Sequence, residues 1–280
     1  MAPSVVKKGY ADISLGQIHY RYALPTTAAP KTPIIFLHKS ASSSKSYENL
    51  IEYYVSQGHP CYAPDMPGFG GSFDTELDPS PPYSTTWYCS IFEEVFRQLG
   101  LFAAGKKVHL CGHHSGSTLA LEMGVTYAEY IKSITMIGAG LMNEAERLEM
   151  KSHYFAPFNK PVMDGSHLLK TWNYLQQGEV AEDLELMQSE LLDHARAWLG
   201  RMQIYGAVWN SDRQKNFMQI KCPMLALCAR DDVLWQYFHY VNELRPEVRA
   251  EEVGGGNFEE VLAWKECAKF MDEMYAEVGA

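Results

Sequence analysis

Gly112 and Gly116 bracket the tripeptide His113-His114-Ser115 between an apolar run, Lys107 to Cys111, and a stretch of helical character from Ser115 to about Tyr130. Small residues at both ends of such a tip let a strand turn sharply into a helix, with the middle side chain standing exposed above a parallel sheet. The middle residue here is His114, and Ser115 falls one place later. A chain built around this turn needs a buried strand leading in and a helix leading out, and the rest of the sheet is expected on either side of it.

The flanking sequence repeats that alternation. Tyr10 to Leu15 and Gln17 to Ala23 predict an antiparallel hairpin turning near Gly16. After a linker rich in Pro, Thr and Ala, Pro33 to His38 reads as a strand buried on both faces, and Ser44 to Val55 as its crossover helix. Pro60 to Pro64 is the next strand, Trp87 to Leu99 a helix, and Ile134 to Ile137 the sixth strand. Beyond Gly140 the pattern turns helical and aromatic through about Ile220, with Phe155, Phe158, Trp172, Tyr174, Trp198, Tyr205 and Trp209. Strand character resumes at Pro223 to Cys228 and again at Val248 to Val253, with helices expected over Trp235 to Leu244 and Phe258 to Val278. Strand and helix in alternation imply an α/β protein with a mainly parallel, doubly wound sheet. The expected organisation is a core of 1–140 and 221–280 with a helical cap, 141–220, inserted after the sixth strand.

The 280 residues, 46% hydrophobic, suffice for one such core and one insertion. A formal charge of −10 argues against nucleic acid or an anionic membrane surface as partner, since both require clustered Lys and Arg. The start, Met1-Ala2-Pro3-Ser4-Val5, lacks the apolar run of a signal peptide, and a soluble cytoplasmic protein is expected. Six cysteines without a C-x-x-C pair read as reduced core thiols. The Gly-rich pieces Gly68 to Gly71 and Gly254 to Gly256 lack G-x-G-x-x-G spacing, so no nicotinamide or flavin cofactor is indicated.

Four local signatures occur in order: Phe36-Leu37-His38 at the end of one strand, Asp65-Met66-Pro67-Gly68-Phe69-Gly70-Gly71-Ser72 after the next, the turn around His114, and Ala229-Arg230-Asp231-Asp232 after a late strand. Together they resemble the α/β-hydrolase superfamily across essentially the whole chain. The resemblance implies that the acid of a catalytic triad maps to Asp232 and the catalytic histidine position to Asn257. It also places oxyanion donors at the Ser115 amide and at Ser40 or its neighbour, with Lys39 replacing a common glycine. A His at the turn, as G-x-H-[ST]-G, is similar to an atypical branch of the superfamily.

With Asn257 where the base should stand, a serine hydroxyl has no proton acceptor, so ordinary serine-hydrolase chemistry is not expected. His114 brings an imidazole to the nucleophile's place; the positive end of the following helix and partial burial predict a neutral ring. Asn257 is expected to accept from one ring N–H and to donate to Asp232, aiming the other nitrogen at substrate. The leading expectation is cofactor-independent, non-hydrolytic acid/base chemistry of lyase, isomerase or cyclase type on a hydrophobic, carbonyl-containing, polyketide-like metabolite. Two alternatives stand beside it: an esterase, lactonase or thioesterase using His114 as nucleophile, and a ligand-binding protein without turnover.

Around the centre, His38 is expected in a structural role bordering the pocket, and Asp231 in a capping or surface role. His113 is expected to pack or hydrogen-bond. Adjacent histidines at a sharp turn point apart and no third ligand has suitable spacing, so no metal is expected. In the cap, His167, Trp172, His194, Trp198, Tyr205 and Trp209 are candidates to line an aromatic cavity, although aromatics at helical spacing commonly just pack.

Overall fold

Continuous apolar runs form the central strands because both of their faces are covered by helices. This is visible in β3 (Ile34–Leu37), β5 (Val108–His113) and β7 (Met224–Ala229), in which every residue is buried. The computed structural model describes residues 6–154 and 159–279; Met1 to Val5, and the aromatic residues Phe155 and Phe158, lie outside the described residues. The hairpin of β1 (Lys7–Ile13) and β2 (Gly16–Ala23) pairs antiparallel, Tyr10 opposite His19, and forms one edge of the sheet.

With β4 (Cys61–Pro64), β6 (Ile131–Ile137) and β8 (Arg249–Val253), the strand order is β1-β2-β4-β3-β5-β6-β7-β8, parallel from β4 onward. The period of two separates the faces: Ile35 and Leu37 enter one core cluster with Phe92 and Phe96 of α2 (Thr85–Gln98) and Leu119 of α3 (Ser115–Thr126). Ile34 and Phe36 enter another with Leu50 and Tyr54 of α1 (Glu48–Ser56) and, late in the chain, Met271 and Tyr275. The fold is therefore α/β with a mainly parallel, doubly wound sheet.

Among the described residues, five α-helices stand between β6 and β7: α4 (Glu144–Tyr154), α5 (Ser166–Leu175), α6 (Leu184–Arg196), α7 (Gly200–Asn210) and α8 (Arg213–Gln219). After β7 come α9 (Tyr240–Leu244), α10 (Glu259–Leu262) and α11 (Trp264–Val278). Two expected helices are shorter than the periodicity implied. The helix begun at Ser115 stops at Thr126, a 3-10 turn replacing its last residues, and the one expected from Trp235 starts as a 3-10 turn and becomes α-helical only at Tyr240. No helix among the described residues is long and apolar enough to cross a membrane.

Candidate active site

The strand β5 ends in a turn that only this spacing of glycines permits. A Cβ on Gly112 would fall on the Gly116 carbonyl, and one on Gly116 on the Leu37 carbonyl, so each chain segment touches the next through bare backbone. Between them His114 is held at φ 46°, ψ −107°, the single non-glycine with positive φ among the described residues. Such backbone costs on the order of 1–3 kcal/mol and persists where the surroundings over-determine it. Here the His114 amide donates to Ile137 O at 2.9 Å, and Ser117 Oγ donates to both Gly112 O (2.6 Å) and Ile137 O (2.8 Å). Gly138, also at positive φ, leaves the space that the His114 ring fills.

The imidazole meets Asp232 directly. His114 Nε2 lies 2.6 Å from Asp232 Oδ2, with the carboxylate fully buried and the His114 side chain 17% exposed. Asp232 Oδ1 also accepts from the Leu234 amide at 2.6 Å. Burial opposes ionisation of Asp232, but His114, its hydrogen bond and His113 overcome it and hold the carboxyl at about 2. Burial lowers the pKa of His114, Asp232 counters, and the neighbouring His113 lowers it further, leaving it below the ordinary value. A neutral ring facing an ionised carboxylate must carry its proton on Nε2, so the basic lone pair is on Nδ1, which has no hydrogen-bond partner among the described residues.

This geometry corrects the expected relay through asparagine. Asn257 lines the same cavity, but its Oδ1 accepts from the Val233 amide at 3.3 Å rather than from the imidazole. The reason is reach: an imidazole on the elbow itself already spans to Asp232, leaving no gap for a third side chain. The oxyanion donors also differ from expectation. The Ser40 amide donates to Ser115 Oγ at 2.8 Å, so this hydroxyl occupies the donor assigned to substrate, while the Ser115 amide stands at the first helical position with no intrahelical acceptor.

Behind the elbow lies a buried ionic network that sequence reasoning missed. His113, fully buried, has Nε2 3.0 Å from Glu259 Oε2 and Nδ1 2.8 Å from Glu260 Oε2. Lys39 Nζ is 3.2 Å from Glu260 Oε1 and 3.9 Å from the centre of the Phe258 ring. Burial by itself would neutralise His113, yet Glu260 and Glu259 raise its pKa to about 9. Glu259 is pushed up to about 7 by burial against the pull of His113; Glu260 is held well below the ordinary carboxylate range by His113 and Lys39 despite its burial. In the sequence, Glu259-Glu260 reads only as the start of a helix.

Folding brings together metal-ligand types that their spacing in the sequence keeps apart. Ligand atoms of His113, His114, Asp232 and Glu259 all lie within 4.8 Å of one another, because the tertiary structure delivers two carboxylates to the paired histidines. Within this cluster His114 and Asp232 share a proton at 2.6 Å, whereas His113 and Glu259, 3.0 Å apart, form an ion pair without hydrogen-bond alignment. The donor set therefore satisfies itself as it stands, through one hydrogen bond and one ion pair.

A cavity of about 650 Å³ opens over the elbow, between the sheet and the cap. Of the expected contacts, His114, Ser115, Ser40, Lys39, Asn257, His194, Tyr205 and Trp209 line it. His38 does not: it is buried, accepting from the Met66 amide at Nε2 and donating from Nδ1 to Lys39 O, which fixes the exit of β3. His113 is walled off in the network, and His167, Trp172 and Trp198 also fall outside the lining. Trp172 packs against the small cap cluster of Leu175, Val180 and Met187. Unanticipated wall residues include Met142, Met150, Leu234, Arg201 and Arg213.

Fold and site together define an α/β protein with a strand-turn-helix centre facing a cavity partly walled by the helices between β6 and β7. Residues 32–203 match the family model for the alpha/beta hydrolase fold, and the chain belongs to that family. It is similar to a proline iminopeptidase of Heyndrickxia coagulans, 23% identical over 86% of this chain and 88% of the relative. A 2-hydroxy-6-oxononadienedioate/2-hydroxy-6-oxononatrienedioate hydrolase of Paraburkholderia phymatum is 21% identical over 80% of this chain and 78% of its own length. Among solved structures, a laboratory-evolved variant of potato epoxide hydrolase superposes with a TM-score of 0.77 at 15% identity, covering 98% of this chain and all of that one. A thioesterase domain from the curacin biosynthetic pathway gives 0.68 at 14% identity, covering 95% and 99%.

Proposed function

We propose that this chain is an enzyme in which His114, oriented by Asp232, moves a proton on an apolar, carbonyl-containing small molecule. The observation that carries the reading is the 2.6 Å contact between the elbow imidazole and a buried, ionised aspartate, with Nδ1 left unpartnered on a side chain that lines the cavity. No hydroxyl is activated in its place: Ser115 Oγ accepts an amide proton from Ser40, and Asn257 supplies no base. Abstraction of a proton next to a carbonyl, with the enolate oxygen received by the Ser115 amide and hydroxyl, leads to elimination, isomerisation or ring closure.

Hydrolysis is the second reading, and the names of the relatives favour it, since the curated relatives and superposed structures just described are a peptidase, hydrolases and a thioesterase. His114 would then deprotonate a water, or attack an acyl group to form an acyl-imidazole. Turnover of a substrate panel in D2O and in water enriched in heavy oxygen separates the two. Deuterium at carbon without heavy oxygen in product supports proton transfer at carbon; heavy oxygen in a carboxyl product supports hydrolysis. Turnover unchanged in His114→Ala overturns the role of the imidazole, and tight binding without product supports a receptor.

A further inference from the structure

The chain carries 34 acidic and 24 basic residues, yet the cavity lining inverts that balance: Lys39, Lys170, Arg201 and Arg213 contribute to it, and no Asp or Glu does among the described residues. Lys39 is neutralised by Glu260. Arg213 is not neutralised in this way. It is 5% exposed, its Nη1 donates to Gly140 O at 2.8 Å and Nη2 to Val208 O at 3.3 Å, and both acceptors are neutral carbonyls. Its Nε is buried without a hydrogen bond, and no carboxylate lies within ion-pair distance among the described residues. Burial, with the neighbouring cation Arg147 adding to it, brings its pKa down to about 10, so it stays protonated at neutral pH.

A buried guanidinium with no counter-charge is costly, and a chain retains one where something else supplies the anion. Two of its five N–H groups are used by the carbonyls and Nε is shut inside the protein, leaving one N–H on each of Nη1 and Nη2 for a planar, bidentate partner. The walls beside it, Met142, Val208, Trp209 and Leu234, are apolar. The chain leaving β6 links this group to the reaction centre, since Gly138 admits the His114 ring and Gly140 holds the guanidinium.

We infer that Arg213 is an anion-binding subsite and that the substrate is an amphiphilic carboxylic acid, its carboxylate on Arg213 and its apolar body toward His114. This rests on the cavity being the substrate site as proposed above, but it is read by binding and not by turnover. The experiment is calorimetric titration of the whole protein with matched pairs, 4-phenylbutyrate against 4-phenylbutanamide and decanoate against decanamide. At least one acid is expected to bind about tenfold or more tightly than its amide. Folded Arg213→Gln, checked by circular dichroism, is expected to lose that preference, and Arg213→Lys to keep part of it. His114→Ala is expected to keep the preference while losing turnover, so failure of the catalytic reading leaves this one legible. Equal affinity for acid and amide, absence of binding by every acid, or a preference that persists in folded Arg213→Gln overturns it. If the Arg213 variants do not fold, the acid-to-amide ratio in the unaltered protein decides.

Discussion

An imidazole in strained backbone is a poor choice for stability, since glycine or asparagine tolerates positive φ better, so the identity of residue 114 is best explained by what its ring does. His114→Ala is therefore expected to reduce kcat/KM on an authentic substrate by about 10² to 10⁴, the usual contribution of a general acid or base, with the fold retained in circular dichroism. The pH profile has a defined sign. The ring acts as a base only when neutral, and burial lowers its pKa against the pull of Asp232, so the acid limb of kcat/KM falls below the ordinary histidine value. Asp232→Asn removes that pull, and the limb is expected to move further down while kcat drops. An acid limb above the ordinary histidine value rejects this assignment. The inherited geometry offers a second check. A fluorophosphonate should leave the unaltered protein unlabelled by mass spectrometry, because Ser115 Oγ has no base. His114→Ser combined with Asn257→His is expected to restore labelling, the elbow then presenting a hydroxyl and residue 257 an imidazole.

The elbow strand and the helix α10 are joined by charge, through His113 between Glu259 and Glu260, and this joint has a pH signature. A histidine whose folded pKa is raised to about 9 contributes its full stabilisation below its unfolded value near 6.5 and loses it as pH rises through 9. Glu259, raised to about 7, has the same sign: the folded state prefers it protonated and loses by its ionisation. The melting temperature is expected to fall from pH 6.5 to 9, by an amount on the order of 3 kcal/mol of stability, and His113→Gln is expected to flatten that slope. A flat profile in the unaltered protein contradicts the joint. The network also shows where sequence reading stops. The strands β3, β5 and β7 and the elbow were legible because they are local, a run of apolar residues or glycines at fixed spacing. Asp232 was legible only through resemblance. Glu259, Glu260 and Arg213 were not legible, since each looks like an ordinary helix residue until folding sets it against a partner far away in the chain. The asparagine relay failed for the same reason, because side-chain reach is a property of the assembled site.

The helices between β6 and β7 meet the core above the elbow through two sets of side-chain bonds. Arg196 of α6 donates to the carbonyls of Gly68, Gly70 and Ser72, and Gly200 of α7 lies so close to Gly68 that a Cβ on it would sit 2.7 Å from the Gly68 carbonyl. A second fastening joins Ser42 and Ser43, in the loop after β3, to Glu190 and Asp193 of α6. Asp193 is raised to about 7 by burial and by Glu190, with Asp65 adding to the repulsion and Ser43 and Arg21 opposing it. A carboxyl raised above its unfolded value favours the closed form while protonated, so docking of the cap weakens as pH rises toward and through 7. Limited proteolysis of the segment between β6 and β7 is therefore expected to accelerate between about pH 4 and 7 and to level off above, and Asp193→Asn, which keeps the hydrogen-bonding shape without the charge, is expected to abolish that pH dependence. Arg196→Ala removes three hydrogen bonds to the core and is expected to speed cleavage at every pH, lowering stability by about 1–3 kcal/mol. Because a ligand bound between the layers adds contacts present only in the closed form, a saturating acid from the calorimetric pairs should slow cleavage in both variants. Cleavage that is fastest at low pH, or indifferent to Asp193→Asn, places the controlling contact elsewhere than at this carboxyl.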